Sequence, residues 1–169
     1  MSSEDRQTGV PAQSIAEMAD VEAIKQVKYA YFRLLDSKEF DDLGQLLTED
    51  ATSSYESGKY SHNSRAEIVD FLSTSLGDRG IVHEHLGHHP EIILTDDQSA
   101  IGTWYLHDRV IVAAVDFELG GTAIYRDQYK KVGGRWLISH TGYERIYEEQ
   151  RKLSTGELSS FRNRFEPSS

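Results

Sequence analysis

The chain has 169 residues, 38% hydrophobic and 27% charged, which suits one soluble domain with a real core and is too short for two comfortable ones. Its 28 acidic residues against 18 Lys and Arg give a formal net charge of -10, which argues against nucleic acid or an anionic membrane as the main partner, since both require a basic face. Cysteine is absent, which removes disulfides, thiolate metal sites and cysteine nucleophiles together.

Residues 1–13 carry Ser, Asp, Gln, Gly and Pro with little to bury and read as a flexible lead-in to a domain spanning 14–148. They hold no apolar signal-peptide core, and no run approaches the roughly 18 apolar residues of a membrane span, so a cytoplasmic location is expected. Asp20 is a plausible N-cap for a helix over 21–36, in which Val21, Ile24, Val27, Tyr31, Leu34 and Leu35 recur at helical spacing. Asp36 projects just beyond that apolar arc, in a last turn where the macrodipole disfavours an acid. It is either a solvated helix end or a carboxylate held there for a reason.

A short helix over 41–47 and a hairpin of strands 52–55 and 59–62 come next. Ser64 and Glu67 form the capping box of a third helix, which Gly77 stops. Residues 82–92 contain four of the seven histidines, and histidine is the side chain whose ordinary pKa lies nearest neutrality. A polar loop of solvated imidazoles is the plain alternative to a functional cluster. A strand over 91–95 and a turn at Asp96-Asp97-Gln98 follow.

From 99 to 117 the residues alternate, with Ala100, Gly102, Trp104, Leu106, Asp108, Val110 and Val112 on the more apolar face. Asp108 is the only charge on that face, so it is either paired or desolvated. A strand from Gly120-Gly121 to 131, a tight turn at Val132-Gly133-Gly134 and a last strand over 135–147 complete the domain. The final strand carries Leu137, Ser139, Thr141, Tyr143 and Arg145 on one face. Residues 149–169 read as a tail that packs on a neighbour or stays mobile. Helices first and long strands afterwards predict α+β: a cone-shaped, curved, mostly antiparallel sheet with the helices on its concave face, enclosing a pocket.

Several features together resemble the SnoaL-like branch of the nuclear-transport-factor-2-like superfamily over residues 21–148. They are the helix with Tyr31 and Asp36, the histidine-bearing strand after the third helix, Trp104-Tyr105-Leu106-His107-Asp108, and Gly133-Gly134-Arg135-Trp136-Leu137-Ile138-Ser139-His140. Within that branch the pattern is similar to scytalone dehydratase, bile-acid 7-alpha-dehydratase and hexachlorocyclohexane dehydrochlorinase. The resemblance implies His85 as a base, Asp36 as its partner, Tyr31 and Asp108 as further catalytic residues and Arg145 as a pocket arginine. Trp104, Tyr55 and His89 join Arg145 as substrate-binding candidates. The second histidine of scytalone dehydratase has no counterpart, because His107 falls on the opposite strand face.

The chemistry implied is a cofactor-free β-elimination of water from a hydrophobic, carbonyl-bearing cyclic substrate. His85 would take the proton, Asp36 would hold the imidazole, Tyr31 would donate to the developing oxyanion and a protonated Asp108 would release the hydroxyl. A double-bond isomerase, or a small-molecule-binding or assembly module without catalysis, are the alternatives on the same fold. Metal binding at His83-x-His85 is the rival within the site, but the sequence is not His-Glu-x-x-His and shows no second ligand cluster. No metal or cofactor is therefore expected, and a homo-oligomer, dimer or trimer, is.

Overall fold

A computed structural model describes residues 14–163, so the lead-in expected over 1–13 lies outside the described residues. Helix α1 spans Ile15–Asp36 and starts six residues ahead of the expected point (21 against 15). Ser14 is its N-cap, in a capping box with Glu17. The early turns leave Ile15 and Met18 exposed, so no apolar period marks them in sequence. Asp20, expected as the cap, instead accepts hydrogen bonds from Lys131 Nζ at 2.7 Å and Trp136 Nε1 at 2.8 Å. It ties the helix to the sheet.

Helix α2, Phe40–Gly44, is shorter than expected because Leu47 already begins strand β1, Leu47–Tyr55. Strand β2 is Tyr60–His62, and α3, Arg65–Leu76, carries its N-cap on Ser64 as expected. Glu67 closes that cap on the Asn63 N–H rather than on Ser64 itself. Four long strands follow: β3, Ile81–Asp96; β4, Ser99–Val112; β5, Phe117–Val132; and β6, Arg135–Arg151. The alternation expected to run to 117 breaks at a 3-10 turn, Ala113–Val115, and at Asp116 in the left-handed region, so β5 starts earlier than Gly120.

The sheet runs β2-β1-β6-β5-β4-β3, curved and unclosed, and is antiparallel except where β1 lies parallel to β6. Where a tail packing on a neighbour or staying mobile was expected from 149, β6 continues to Arg151 and β7, Leu158–Asn163, pairs back on it. Helix α1 lies across the concave face, burying Ile24, Tyr31 and Leu35 against Leu47, Leu106 and Ile138. No helix among the described residues is long and apolar enough to cross a membrane.

The histidine stretch is strand, not loop. His83 and His85 share the concave side of β3, while Glu84, Leu86 and His88 are exposed on the other. Between His88 and Glu91 the register shifts, and His89 adopts φ 50 just before Pro90, which has no N–H to offer a ladder. That bulge ends the parity that would have carried His89 inward.

Candidate active site

The end of α1 sets the site. Glu39 N–H bonds Leu34 O at 2.9 Å and Lys38 N–H bonds Leu35 O at 3.1 Å, a Schellman closure that fixes Asp36 in the last helical turn. Asp36 faces β3 and accepts three hydrogen bonds. His85 Nδ1 lies 2.7 Å and His83 Nδ1 3.0 Å from its Oδ1, and the His85 backbone N–H donates to Oδ2 at 2.9 Å. Partial burial works toward a higher pKa, but the hydrogen bonds from His83 and His85 and the charge of His85 outweigh it and hold the carboxyl at about 2. They also answer the helix dipole that disfavours an acid there.

With Nδ1 on Asp36, the Nε2 atom of His85 is the ring nitrogen with no hydrogen-bond partner among the described residues. The imidazole lines a cavity of about 290 Å³ between α1, α3 and the sheet. Phe32 stacks nearly parallel to it, ring centroids 6.4 Å apart. Gly87 permits this, since a Cβ there would overlap the Phe32 ring.

Tyr31, Tyr55, Tyr125 and Tyr143 converge on the same cavity, with Tyr60 and Phe71 on its far side. Tyr31 and Tyr55 share a hydrogen bond of 3.0 Å between their hydroxyls. Burial pushes the Tyr31, Tyr55 and Tyr125 phenols well up, and that of Tyr143 to about 12. These hydroxyls are therefore neutral donors at ordinary pH.

Across the strand pair, Asp108 is the register partner of His85. Both Asp108 oxygens are engaged by Arg145, at 2.5 and 2.7 Å, in a bidentate fork. The pair with Asp108 lifts the Arg145 pKa above its ordinary value even though burial works to lower it. This geometry departs from the expected roles of both residues: a carboxylate held by two guanidinium N–H groups is not a protonated acid, and an arginine so engaged is not a free anion clamp.

The sequence candidates thus divide. His85, Tyr31, Tyr55, Asp108 and Arg145 line one cavity, and Asp36 stands behind it, bonded to His85. Trp104 does not; it is fully buried in the core, where Nε1 donates to Tyr129 Oη at 3.1 Å. His89 is exposed, edge-on to Tyr105 on the outer face, and His107 is exposed there as well. Sequence reasoning gave no role to Tyr125, Tyr143 or Lys38, and weighed His83 only as a metal ligand beside His85. Tyr143 shares the period-two face of Arg145, and His83 that of His85, so both carried a signal.

One nitrogen of each histidine and one oxygen of Asp36 lie within 4.8 Å of one another, close enough to ask whether a cation would fit. Lys38 Nζ stands 3.1 Å from His83 Nε2. An ammonium has only hydrogens to donate, so Nε2 accepts and Nδ1 keeps its hydrogen. A cation at the three atoms would have to displace two Nδ1 hydrogens and turn an N–H toward the ammonium. As bonded here, both imidazoles turn N–H groups rather than lone pairs toward Asp36.

A profile described as a SnoaL-like domain matches residues 16–142. The chain belongs to the SnoaL-like family. Solved structures agree on the fold. A protein named as a scytalone dehydratase from Novosphingobium aromaticivorans superposes with TM-score 0.70 at 17% identity, covering 91% of this chain and 98% of that one. Hexachlorocyclohexane dehydrochlorinase LinA-type3 from Novosphingobium barchaimii matches with TM-score 0.70 at 13% identity, covering 89% and 94%. A protein from Catenulispora acidiphila, solved with the small molecule S-DNPA, matches with TM-score 0.65 at 19% identity over 76% and 94%. This SnoaL-like chain shares their fold.

Proposed function

We propose that this SnoaL-like protein is a lyase working without a cofactor, which eliminates water from a hydrophobic cyclic substrate bearing a carbonyl group. The observation that carries the reading is the His85–Asp36 bond of 2.7 Å, with the opposite imidazole nitrogen toward an aromatic cavity. Nε2 removes the proton next to the carbonyl, and the electron pair moves onto the oxygen as an enolate. Asp36 stabilises the imidazolium, and Tyr31 or Tyr55 donates a hydrogen bond to the enolate oxygen. When the enolate collapses, the β-hydroxyl leaves and takes the proton back from His85 Nε2. The products are the conjugated alkene and water, and the enzyme is restored. Asp108 and Arg145 act here as a fixed polar wall rather than as the acid. The scytalone dehydratase and dehydrochlorinase names of the structural neighbours support elimination chemistry.

A pocket that only binds would have no use for a carboxylate bonded to the far side of an imidazole that lines it. A simple assay separates the readings: exchange of the α-protons of a cyclic ketone in heavy water, followed by NMR. Wild-type protein exchanges them, and His85→Ala lowers the rate by about 10²-fold or more. Undiminished exchange in a folded His85→Ala variant removes this mechanism.

The outer face of β3 and β4 exposes Val82, Leu86, Ile93, Ile101 and Tyr105. That apolar stretch supports the homo-oligomer reading, and a monomeric mass by sedimentation equilibrium would overturn it.

A further inference from the structure

Two histidines compete for one carboxylate oxygen. His85 and His83 both direct Nδ1 at Asp36 Oδ1, and a single shared oxygen stabilises one imidazolium far better than two. A proton resting on His83 would weaken the bond that makes His85 a base. His83 has no solvent-exposed side-chain surface, and its remaining ring nitrogen faces Lys38 Nζ at 3.1 Å. Lys38 also donates to Leu76 O.

The location of Lys38 is costly. It holds φ 61 directly after the C-cap, the left-handed position of a Schellman motif that glycine fills without strain. The residue is retained in a conformation that its Cβ opposes, and its side chain turns back onto His83. Such a residue is worth more for its ammonium than for its backbone.

We propose that Lys38 is a positioning residue that holds His83 as the neutral Nδ1–H tautomer and so reserves the active-site proton for His85. This rests on the reading of His85 as the base. The ammonium blocks protonation of His83 Nε2 by charge and by geometry, since both would then be donors facing each other. Other charged groups complete the setting. Burial lowers the Lys38 pKa from its ordinary value, and the charges of Asp78 beyond α3 and Asp36 on α1 work against that shift. Asp108 on β4 faces His85 with Arg145 from β6 already bound to it, whereas Glu84 and Arg109 are register partners on the exposed side.

The test needs no substrate. Long-range proton–nitrogen NMR on full-length protein labelled at histidine reports each ring's tautomer and charge as pH is lowered, and His83→Gln assigns the His83 signals by their loss. In the wild type, His83 keeps the neutral Nδ1–H pattern through the range in which His85 takes up its proton. In Lys38→Met and Lys38→Gly, His83 titrates and the two rings become coupled. Glycine suits the left-handed backbone, so Lys38→Gly keeps or raises the thermal midpoint, which separates this role from a purely structural one. On the acidic side of neutrality both variants also lose about tenfold in α-proton exchange. Titration of His83 alongside His85 in the wild type, or a His83 that stays neutral in both variants, overturns the proposal. Loss of exchange activity in the wild type would count against the lyase reading and leave the NMR result standing.

Discussion

Two of the ionic clusters by which helix α1 meets the sheet lie about two turns apart and are built alike to opposite ends. At Lys28 the ammonium meets Asp127 Oδ2 at 2.8 Å, and neither side chain has any exposed surface. Tyr129 donates to the same oxygen at 2.9 Å and receives the Trp104 indole N–H, while Lys28 Nζ lies 3.6 Å from the Tyr125 ring centroid. At Asp36 the carboxylate meets two imidazoles and a backbone N–H, and one imidazole nitrogen is left toward the cavity. The first chain of donors ends among packed rings; the second ends at the cavity that His85 lines. Closure, more than the presence of charge, separates the structural cluster from the catalytic candidate.

The largest effect comes from opening the closed cluster. Lys28→Met leaves Asp127 buried without its counter-charge, and Asp127 Oδ1 already has no partner among the described residues. The expected loss is about 3–5 kcal/mol of folding stability, read from urea unfolding at neutral pH. A loss under about 1 kcal/mol would mean that the pair is not what holds α1 in place, and the contrast between the clusters would fail.

Asp36→Asn strikes the open cluster, and its effect depends on pH. The Asp36 carboxyl is lowered from 3.8 to about 2 in the folded protein, so its ionised form contributes stability above pH 3.8. That contribution is lost as pH falls toward about 2. Its size is about 1–2 kcal/mol once solvent screening of the partly exposed group is allowed for. The wild type and Asp36→Asn therefore differ in unfolding midpoint near neutrality and converge at the acidic end. α-Proton exchange in the variant falls by about 10²-fold or more, because the amide no longer stabilises an imidazolium. A pH-independent stability gap would mean that the shift belongs to other groups.

How far these clusters could be read from sequence differs for a physical reason. Asp36 stood out as an acid at the edge of an apolar arc, and Asp108 as the lone charge on an apolar strand face; both meet a partner in the fold. Lys28 carried the same signal, lying between Ile24 and Tyr31 on the buried face, but its partner Asp127 comes from a distant strand that periodicity cannot pair. Trp104 shows the limit of alternation. It shares the face of Asp108, yet four residues of strand are about 13 Å, enough to move it from the cavity into the core. His89 was lost to a bulge, which reverses parity without a marker beyond the following Pro90. The α+β order was legible because helix and strand periods differ plainly, whereas the pairing of β7 with β6 depends on where a serine-rich segment returns.

The smallest effect sharpens the comparison most, because one ring belongs to both clusters. Phe32 places its ring centroid 4.9 Å from Lys28 Nζ and stacks beside His85. Phe32→Leu keeps the apolar volume nearly constant, so the packing loss is about 1 kcal/mol, with a further fraction from the cation–π contact. The imidazole keeps its bond to Asp36 but loses one flat wall, so exchange should fall only a few-fold, about 3-fold in rate. If instead Phe32→Leu reproduces the stability loss of Lys28→Met, the ring is part of the closed network's closure. If it reproduces the rate loss of Asp36→Asn, the stack orients His85 as strongly as the carboxylate does. The expected small change in both readouts is what two independent clusters sharing one wall require.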